Sequence, residues 1–276
     1  MASIVKNIFR SEPQIMPNNS SCILHLFIKY KHNVAMKKVE ELNLKVGHGI
    51  EGDVNANPIS PRQVLVVRYE DGVDFAIPPG ELRENIVVAG IKTENFTPGS
   101  VITFDNGAAI RLTFRCEPCK RISHLVDSLK HIQGKRGILG VIIKSGSVYI
   151  GNNAQIQTDK FPALSEKPYE RFLNFIVKVP QGKVVTYKKI IEAIGVDNSY
   201  LRAIPTYLKK TSTDDYPIHR ILDSQGCLIK YAPEQKNKLE AEGIEVLNCS
   251  DLFSTQNRYF VKIDKYLYED KTLYLK

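Results

Sequence analysis

At 276 residues the chain is long for one compact hydrophobic core, so two domains are expected. Hydrophobic content of 43% and charged content of 25% exclude a disordered or fibrous chain. A net charge of +8 suits a polyanionic partner such as nucleic acid, while the five cysteines are too scattered for a disulfide framework and fit a reducing, cytoplasmic compartment.

No apolar run approaches the ~20 residues that span a bilayer, so no membrane is expected. Residues 1–10 lack the apolar stretch and small-residue cleavage site of a secretory signal. From Ser21 the pattern is short and strand-like. Cys22–Ile28 is an apolar run rich in β-formers, and residues 64–67, 86–88, 101–104, 109–114 and 141–143 follow. Asn106-Gly107, between two such runs, is a strong hairpin signal. One helix is expected over residues 124–133. This half reads as a mainly-β domain, closed or sandwiched, over residues 1–155.

Three stretches are more specific: Gly49-Ile50-Glu51-Gly52-Asp53, Gly80-Glu81-Leu82-Arg83-Glu84-Asn85-Ile86 and Arg115-Cys116-Glu117-Pro118-Cys119-Lys120-Arg121. In this order, with Gly137 and Gly146 downstream, they resemble the MOSC family, the β-barrel domain related to the C-terminal part of molybdenum-cofactor sulfurases. The resemblance covers residues 22–151 and implies a MOSC-like barrel that carries sulfur on a cysteine or engages the molybdenum cofactor; some members detoxify N-hydroxylated bases. It makes Cys119 the candidate catalytic cysteine and molybdenum ligand. Asp53, Arg62, Glu84, Asn85 and Arg115 become candidate cofactor-binding residues.

The chemistry rests on a thiolate, which is the nucleophile or ligand form of cysteine and is favoured by cationic neighbours. Arg115, Lys120 and Arg121 surround Cys119 in sequence. An accessible thiolate could take up a persulfide sulfur or coordinate molybdenum, a metal suited to soft ligands. Cys116-x-x-Cys119 leaves other readings open. It is half of a zinc site, although His124 and His131 complete no ligand pattern; or a dithiol redox motif; or two small residues buried at a strand end. Asp53 and Asn85 fit ordinary turn chemistry equally well.

Residues 151–167 are polar and mark a domain boundary. A helix is expected from near Pro168, with Phe172, Phe175 and Ile176 on one face, and Pro180-Gln181-Gly182 ends it. Residues 187–195 read as a short helix closed by Gly195. Asp197-Asn198-Ser199 then starts a second helix over residues 200–210, with Leu201, Ile204 and Leu208 on one face. Two short helices round a glycine-containing turn read as helix-turn-helix.

After these come Tyr216-Pro217-Ile218-His219-Arg220, Gly226, Tyr231 and Leu239-Glu240-Ala241-Glu242-Gly243. With the turn ending at Tyr187 and Leu201-Arg202-Ala203-Ile204 ahead of them, the order resembles the DNA-binding domain of alkylguanine-DNA alkyltransferases, whose reactive tetrapeptide is Pro-Cys-His-Arg. The resemblance implies an α-rich, winged helix-turn-helix domain over residues 165–250. Ile218 stands in the nucleophile's place, and its side chain has no lone pair to attack an alkyl carbon. The resemblance therefore narrows to alkyltransferase-like proteins, which bind a lesion without repairing it.

By that resemblance Tyr187 presses on the phosphate of the target nucleotide and Arg202 fills the vacated place in the base stack. Lys188 and Lys189 contact the DNA, as do Lys209 and Lys210. Ile218, His219, Arg220 and Tyr231 line the pocket for the extruded base; with no thiol to activate, His219, Arg220 and Glu242 are expected to be structural. The sequence departs from the family by one extra residue between Gly195 and Arg202, by Pro205 in place of a small glycine, and by Lys209-Lys210-Thr211-Ser212 in place of an Asn-Pro hinge. Residues 251–276 match no family pattern and are expected to form a hairpin or strand pair.

The expected function is binding of DNA that carries alkylated or otherwise modified bases, by nucleotide flipping without alkyl transfer, in a monomer. A MOSC domain with sulfur-carrier or molybdenum-cofactor chemistry is attached, and a repair or sulfur-delivery protein is the expected further partner. The alternative is a Cys119-dependent enzyme, for sulfur transfer or reduction of N-hydroxylated bases, whose C-terminal domain only delivers nucleic acid or a partner.

Overall fold

The computed structural model describes residues 21–249 and 258–275. Residues 1–10, for which no secretory signal is expected, lie outside the described residues, as does the middle of the C-terminal tail. The chain forms two compact units, Met1–Glu166 with Lys271–Lys276, and Lys167–Asp270.

The first unit carries eleven strands among the described residues: β1 Cys22–Ile28, β2 Lys37–Val39, β3 Glu41–Lys45, β4 Gly49–Ile50, β5 Val64–Arg68, β6 Ile86–Ala89, β7 Val101–Phe104, β8 Ala109–Arg115, β9 Ile138–Lys144, β10 Gly146–Tyr149 and β11 Ala154–Gln157. They pair as an eight-stranded sheet in the order β11-β7-β8-β9-β5-β6-β1-β2 and a three-stranded sheet in the order β10-β3-β4. Pairing is antiparallel except for β5 with β6, which are joined through the short helix α1, Tyr69–Asp74. Leu42 and Leu44 of the small sheet pack with Ile23, Leu26, Val66, Ile86, Ile110 and Ile142 of the large one, so the apolar faces that the strand patterning predicts are buried in one core.

The strand order of the large sheet is open, ending at β11 and β2. Beside it, Ala154 N–H donates to Ser21 O and Gly151 N–H to Ile23 O around an isolated Cys22–Asn153 bridge, which sets the start of β1 against the start of β11. Asn106-Gly107 makes the expected hairpin: Gly107 takes φ +80°, open to glycine, and Asn106 Oδ1 accepts from Ala108 N–H at 2.9 Å.

The helix expected over residues 124–133 does not form. A 3₁₀ helix, Lys120–Leu125, is followed by extended Val126 and a run of turns. Ser128 Oγ accepts from Lys130 N–H, a local bond that competes with helix continuation. Ile122 and Ile132 stay buried against Leu65, Leu82, Phe114 and Cys116, so the apolar residues of this stretch still serve the core.

In the second unit, α2 (Pro168–Ile176) buries Phe172, Phe175 and Ile176. Strand β12, Val185–Thr186, leads into α3, Tyr187–Ala193, and Thr186 Oγ1 caps that helix by accepting from Lys189 N–H. Gly195, at φ +67°, closes it as expected. The single helix expected over residues 200–210 is instead broken into a 3₁₀ helix, Asn198–Arg202, capped by Asp197, and α4, Ile204–Lys210. Pro205 is the physical reason: it offers no N–H to a preceding turn and is tolerated only where a helix restarts. Ile204 and Leu208 are buried as expected, whereas Leu201 is 37% exposed.

Strand β13, Ile221–Leu222, pairs in parallel with β12, preceded by a 3₁₀ turn at Ile218–Arg220. Helix α5, Gln235–Ala241, the antiparallel pair β14 (Leu247–Cys249) and β15 (Arg258–Phe260), and α6, Ile263–Tyr266, complete the unit around Val184, Leu222, Leu239, Ile244 and Val261. Among the described residues no helix is long and apolar enough to cross a membrane.

Candidate functional site

Cys119 lies just past β8, half-buried at the start of the Lys120–Leu125 turn. Arg136, 5% exposed and immediately ahead of β9, sends Nη1 to Cys119 Sγ at 3.5 Å and also donates to the Glu117 carbonyl. Arg83 takes a left-handed backbone with φ +68°, uncommon outside glycine. Burial, then the charges of Arg121 and Arg136, lower its pKa, while Cys119 opposes them. Lys29 is also buried, and burial and the charge of Arg83 push its pKa down.

Glu84 is inside the protein, with Oε1 accepting from Gly80 N–H. Burial raises its pKa against that hydrogen bond and against Arg136. Glu84 Oε2 and Arg136 Nε are buried with no hydrogen-bond partner among the described residues. Burial pushes the Cys116 thiol up, only partly offset by Arg136 and Arg62, which disfavours its thiolate form.

The remaining candidates of this half divide. Asp53 Oδ2 accepts from Lys29 N–H and Asn85 Nδ2, both at 3.0 Å, and Asn85 also donates to Phe27 O and accepts from Leu65 N–H. These two side chains lace β1 to β5. Arg115 pairs with Glu166 at 3.7 Å. Arg136 thus touches the Cys119 sulfur and Arg83 interacts with its charge, both distant in sequence, whereas Arg115 is paired with Glu166. Sequence reasoning passed over both, although Arg83 lay inside a quoted motif and Arg136 precedes Gly137. Among the described residues no group of three or more His, Cys, Asp or Glu could hold a metal ion. A thiol, a surplus of guanidinium and an unpartnered buried donor fit a phosphate-bearing cofactor with a soft metal.

In the second unit the parallel β12–β13 ladder sets Tyr187, one residue beyond β12, level with Asp223, one beyond β13. The Tyr187 hydroxyl is pushed up to about 12 by burial first, then by Tyr231 and Asp223. Tyr231 is half-buried, with Lys230 Nζ 5.4 Å and Lys209 Nζ 5.7 Å from its ring centroid. Ile218 is 1% exposed. His219 Nε2 meets Glu242 Oε1 at 2.9 Å, and Arg220 grips the same carboxylate through Nε and Nη2 while Nη1 donates to Val179 O. Burial raises the Glu242 pKa, but hydrogen bonds from Arg220, His219 and Gly182 N–H outweigh it and hold it down at about 2.

Gln235 escaped the sequence reading. Buried at the head of α5, it accepts from Ile229 N–H and donates to His219 O and Ile221 O, locking the Ile218–Arg220 turn in place. Arg202 and Lys188 are exposed, on elements that pack against each other. Lys189 is occupied, at 2.7 Å from Glu269 and 3.7 Å from Glu192.

The family model of the 6-O-methylguanine DNA methyltransferase DNA-binding domain matches residues 167–244, and that of the MOSC domain matches residues 59–160. No curated protein matches the chain. Among solved structures, YuaD of Bacillus subtilis is 22% identical, with TM-score 0.45, over 50% of this chain and 96% of its own. S. pombe Atl1, solved with damaged DNA containing O6-carboxymethylguanine, is 25% identical, with TM-score 0.33, over 38% of this chain and 98% of its own. YiiM of Geobacillus stearothermophilus is 14% identical, with TM-score 0.43, over 68% of this chain and 98% of its own. Residues 59–160 thus match the MOSC domain, and residues 167–244 match the DNA-binding domain of an alkylguanine-DNA alkyltransferase.

Proposed function

We propose that the second unit binds DNA carrying an alkylated base, takes the flipped nucleotide against Tyr187 and Tyr231, and leaves the alkyl group in place. The observation that carries the reading is Ile218: a buried hydrocarbon holds the nucleophile's position while His219, Arg220 and Glu242 remain bonded around it. In this reading α3, the following 3₁₀ turn and α4 are the helix-turn-helix of a winged domain. Arg202, whose flat guanidinium can stack and donate hydrogen bonds, enters the gap left by the extruded base. Lys188 supplies a phosphate contact; Lys189, already ion-paired, does not. Flipping costs a few kcal/mol and least at a damaged pair, which favours lesions.

The test is a fluorescence-anisotropy titration of duplex with one O6-methylguanine against the same duplex unmodified, at two salt concentrations. The expected result is a preference for the lesion that survives added salt, with no mass gained by the protein. Equal binding that vanishes with salt would leave only a basic surface, and methyl found on the protein would overturn the no-transfer reading.

The first unit is read as a MOSC barrel, closed where Ser21 and Ile23 bond to residues 151–154, with its site at Cys119. The contact of Arg136 with Cys119 Sγ favours a second reading in which this thiol is the active centre of the whole protein. Arg83, Arg121 and Arg136 would hold the anionic part of a molybdenum cofactor, and Cys119 would be its thiolate ligand. When bound, that group would supply sulfur transfer or two-electron reduction. Molybdenum or sulfane sulfur that copurifies with the wild type and is lost in Cys119→Ser is the expected outcome; neither in the wild type would overturn this reading.

A further inference from the structure

The family match of the second unit ends at residue 244, yet the fold of that unit continues to Asp270. Its last described stretch packs on in two steps. Val261 N–H donates to Gly226 O at 2.9 Å, Tyr259 O accepts from Leu228 N–H at 3.0 Å, and Val261 is buried in one cluster with Val184, Leu222 and Leu239. The chain then runs along Val184, which donates to Tyr266 O at 2.9 Å and accepts from Tyr268 N–H at 2.8 Å. This course brings Glu269 to the first turn of α3, where its Oε1 lies 2.7 Å from Lys189 Nζ. Glu192 Oε2, on the same helix, is 3.7 Å from that ammonium group. Lys189 is thus held between two carboxylates, while Lys188 beside it is exposed.

We infer that residues 266–270 form an acidic strap that withholds Lys189 from DNA, with Glu269 standing in the free protein where a backbone phosphate would otherwise sit. The inference rests on the DNA-binding reading and adds a regulation of that same surface. Main-chain bonds and buried Val261 place the strap, and the ion pair does not: the Glu269 side chain is 48% exposed, and a pair so open to water adds little to stability. Glu269 can therefore leave Lys189 while the strap stays folded. Its carboxylate also makes with the ammonium group the same charge-assisted contact that a phosphate oxygen would make. DNA brought to α3 thus competes with Glu269 for one cation and meets its negative charge.

The experiment measures, by anisotropy over a series of salt concentrations, the affinity of the full chain for the O6-methylguanine duplex and its unmodified counterpart. Wild type is compared with Glu269→Gln and with the double variant Glu269→Gln, Lys189→Gln. Glu269→Gln is expected to bind both duplexes about fivefold more tightly at low salt, by the same factor, since phosphates are common to every duplex. Its slope of log affinity against log salt should steepen by about one, the signature of one further phosphate contact. Adding Lys189→Gln should remove both the gain and the extra slope. Thermal unfolding at the wild-type temperature would show that the variants are folded.

Unchanged or weakened binding by Glu269→Gln, with the lesion still preferred, would overturn the inference and leave the lesion-binding reading standing. A gain that persists in the double variant would overturn it too, because it would report only the loss of one negative charge from the protein. A gain that needs Lys189 but shows no preference for the lesion would support the strap and overturn the lesion-specific reading. A wild type that binds neither duplex would overturn both together.

Discussion

Glu242 holds three donors at once: the Arg220 guanidinium, the His219 ring and the Gly182 amide. Its folded pKa of about 2 lies below the ordinary 4.5, so the stabilisation is complete above about pH 5 and is lost as pH falls through the folded value. Glu242→Gln is expected to cost about 3 kcal/mol at pH 7, measured by urea unfolding, because it leaves a half-buried guanidinium without its charge partner. The difference from wild type should narrow at pH 3; a constant difference would refute the assignment. The residue pattern His219-Arg220 with Glu242 was readable in the chain. Their mutual bonding was not, because 22 residues and a turn separate Arg220 from Glu242.

At the scale of elements, two short devices hold the candidate sites. Gly137 joins Arg136 to β9 with φ +90°, and a Cβ there would fall 2.4 Å from Val66 O. Gly137→Ala should cost more than about 2 kcal/mol and loosen the hold of Arg136 on Cys119. It would be read as a lowered unfolding midpoint and altered reactivity of Cys119 toward a thiol reagent. In the second unit, Gln235→Leu would strand Ile229 N–H, His219 O and Ile221 O, and is expected to cost about 2–4 kcal/mol by urea unfolding. A smaller loss would mean that water replaces the amide. Element existence was legible wherever periodicity and turn residues agreed, as at β7–β8 and α3. It failed over residues 124–133, where Ser128 satisfies the backbone locally, and over residues 200–210, where Pro205 was weighed as a family departure and not as a helix breaker.

At the scale of the whole molecule, the last residues return to the first unit. Buried Arg111 of β8 donates to Tyr274 O at 2.8 Å and to Pro162 O at 2.9 Å, and its guanidinium carbon lies 4.3 Å over the Phe161 ring. One side chain thus fastens both the segment by which the chain leaves this unit and the segment by which it comes back. Deleting residues 271–276 exposes Tyr274's site and removes one charge-assisted bond. It is expected to lower the stability of the first unit by about 2 kcal/mol in a calorimetric scan. An unchanged scan would show that the return segment only rests on the surface.

The sequence by itself determined what depends on neighbours along the chain and on chemical identity. Short continuous apolar runs specify buried strands, Asn106-Gly107 specifies a hairpin, and an isoleucine at position 218 offers no nucleophile there. Only the tertiary structure decided which charges act on which groups. It assigned Arg136 and Arg83 to Cys119, turned Arg115 away to Glu166, paired Lys189 with Glu269, and stood Lys209 over Tyr231. The reason is physical. Backbone preferences and turn chemistry act over a few residues, whereas side-chain electrostatics act through space, between segments that meet only once the sheet and the helices have buried their apolar faces.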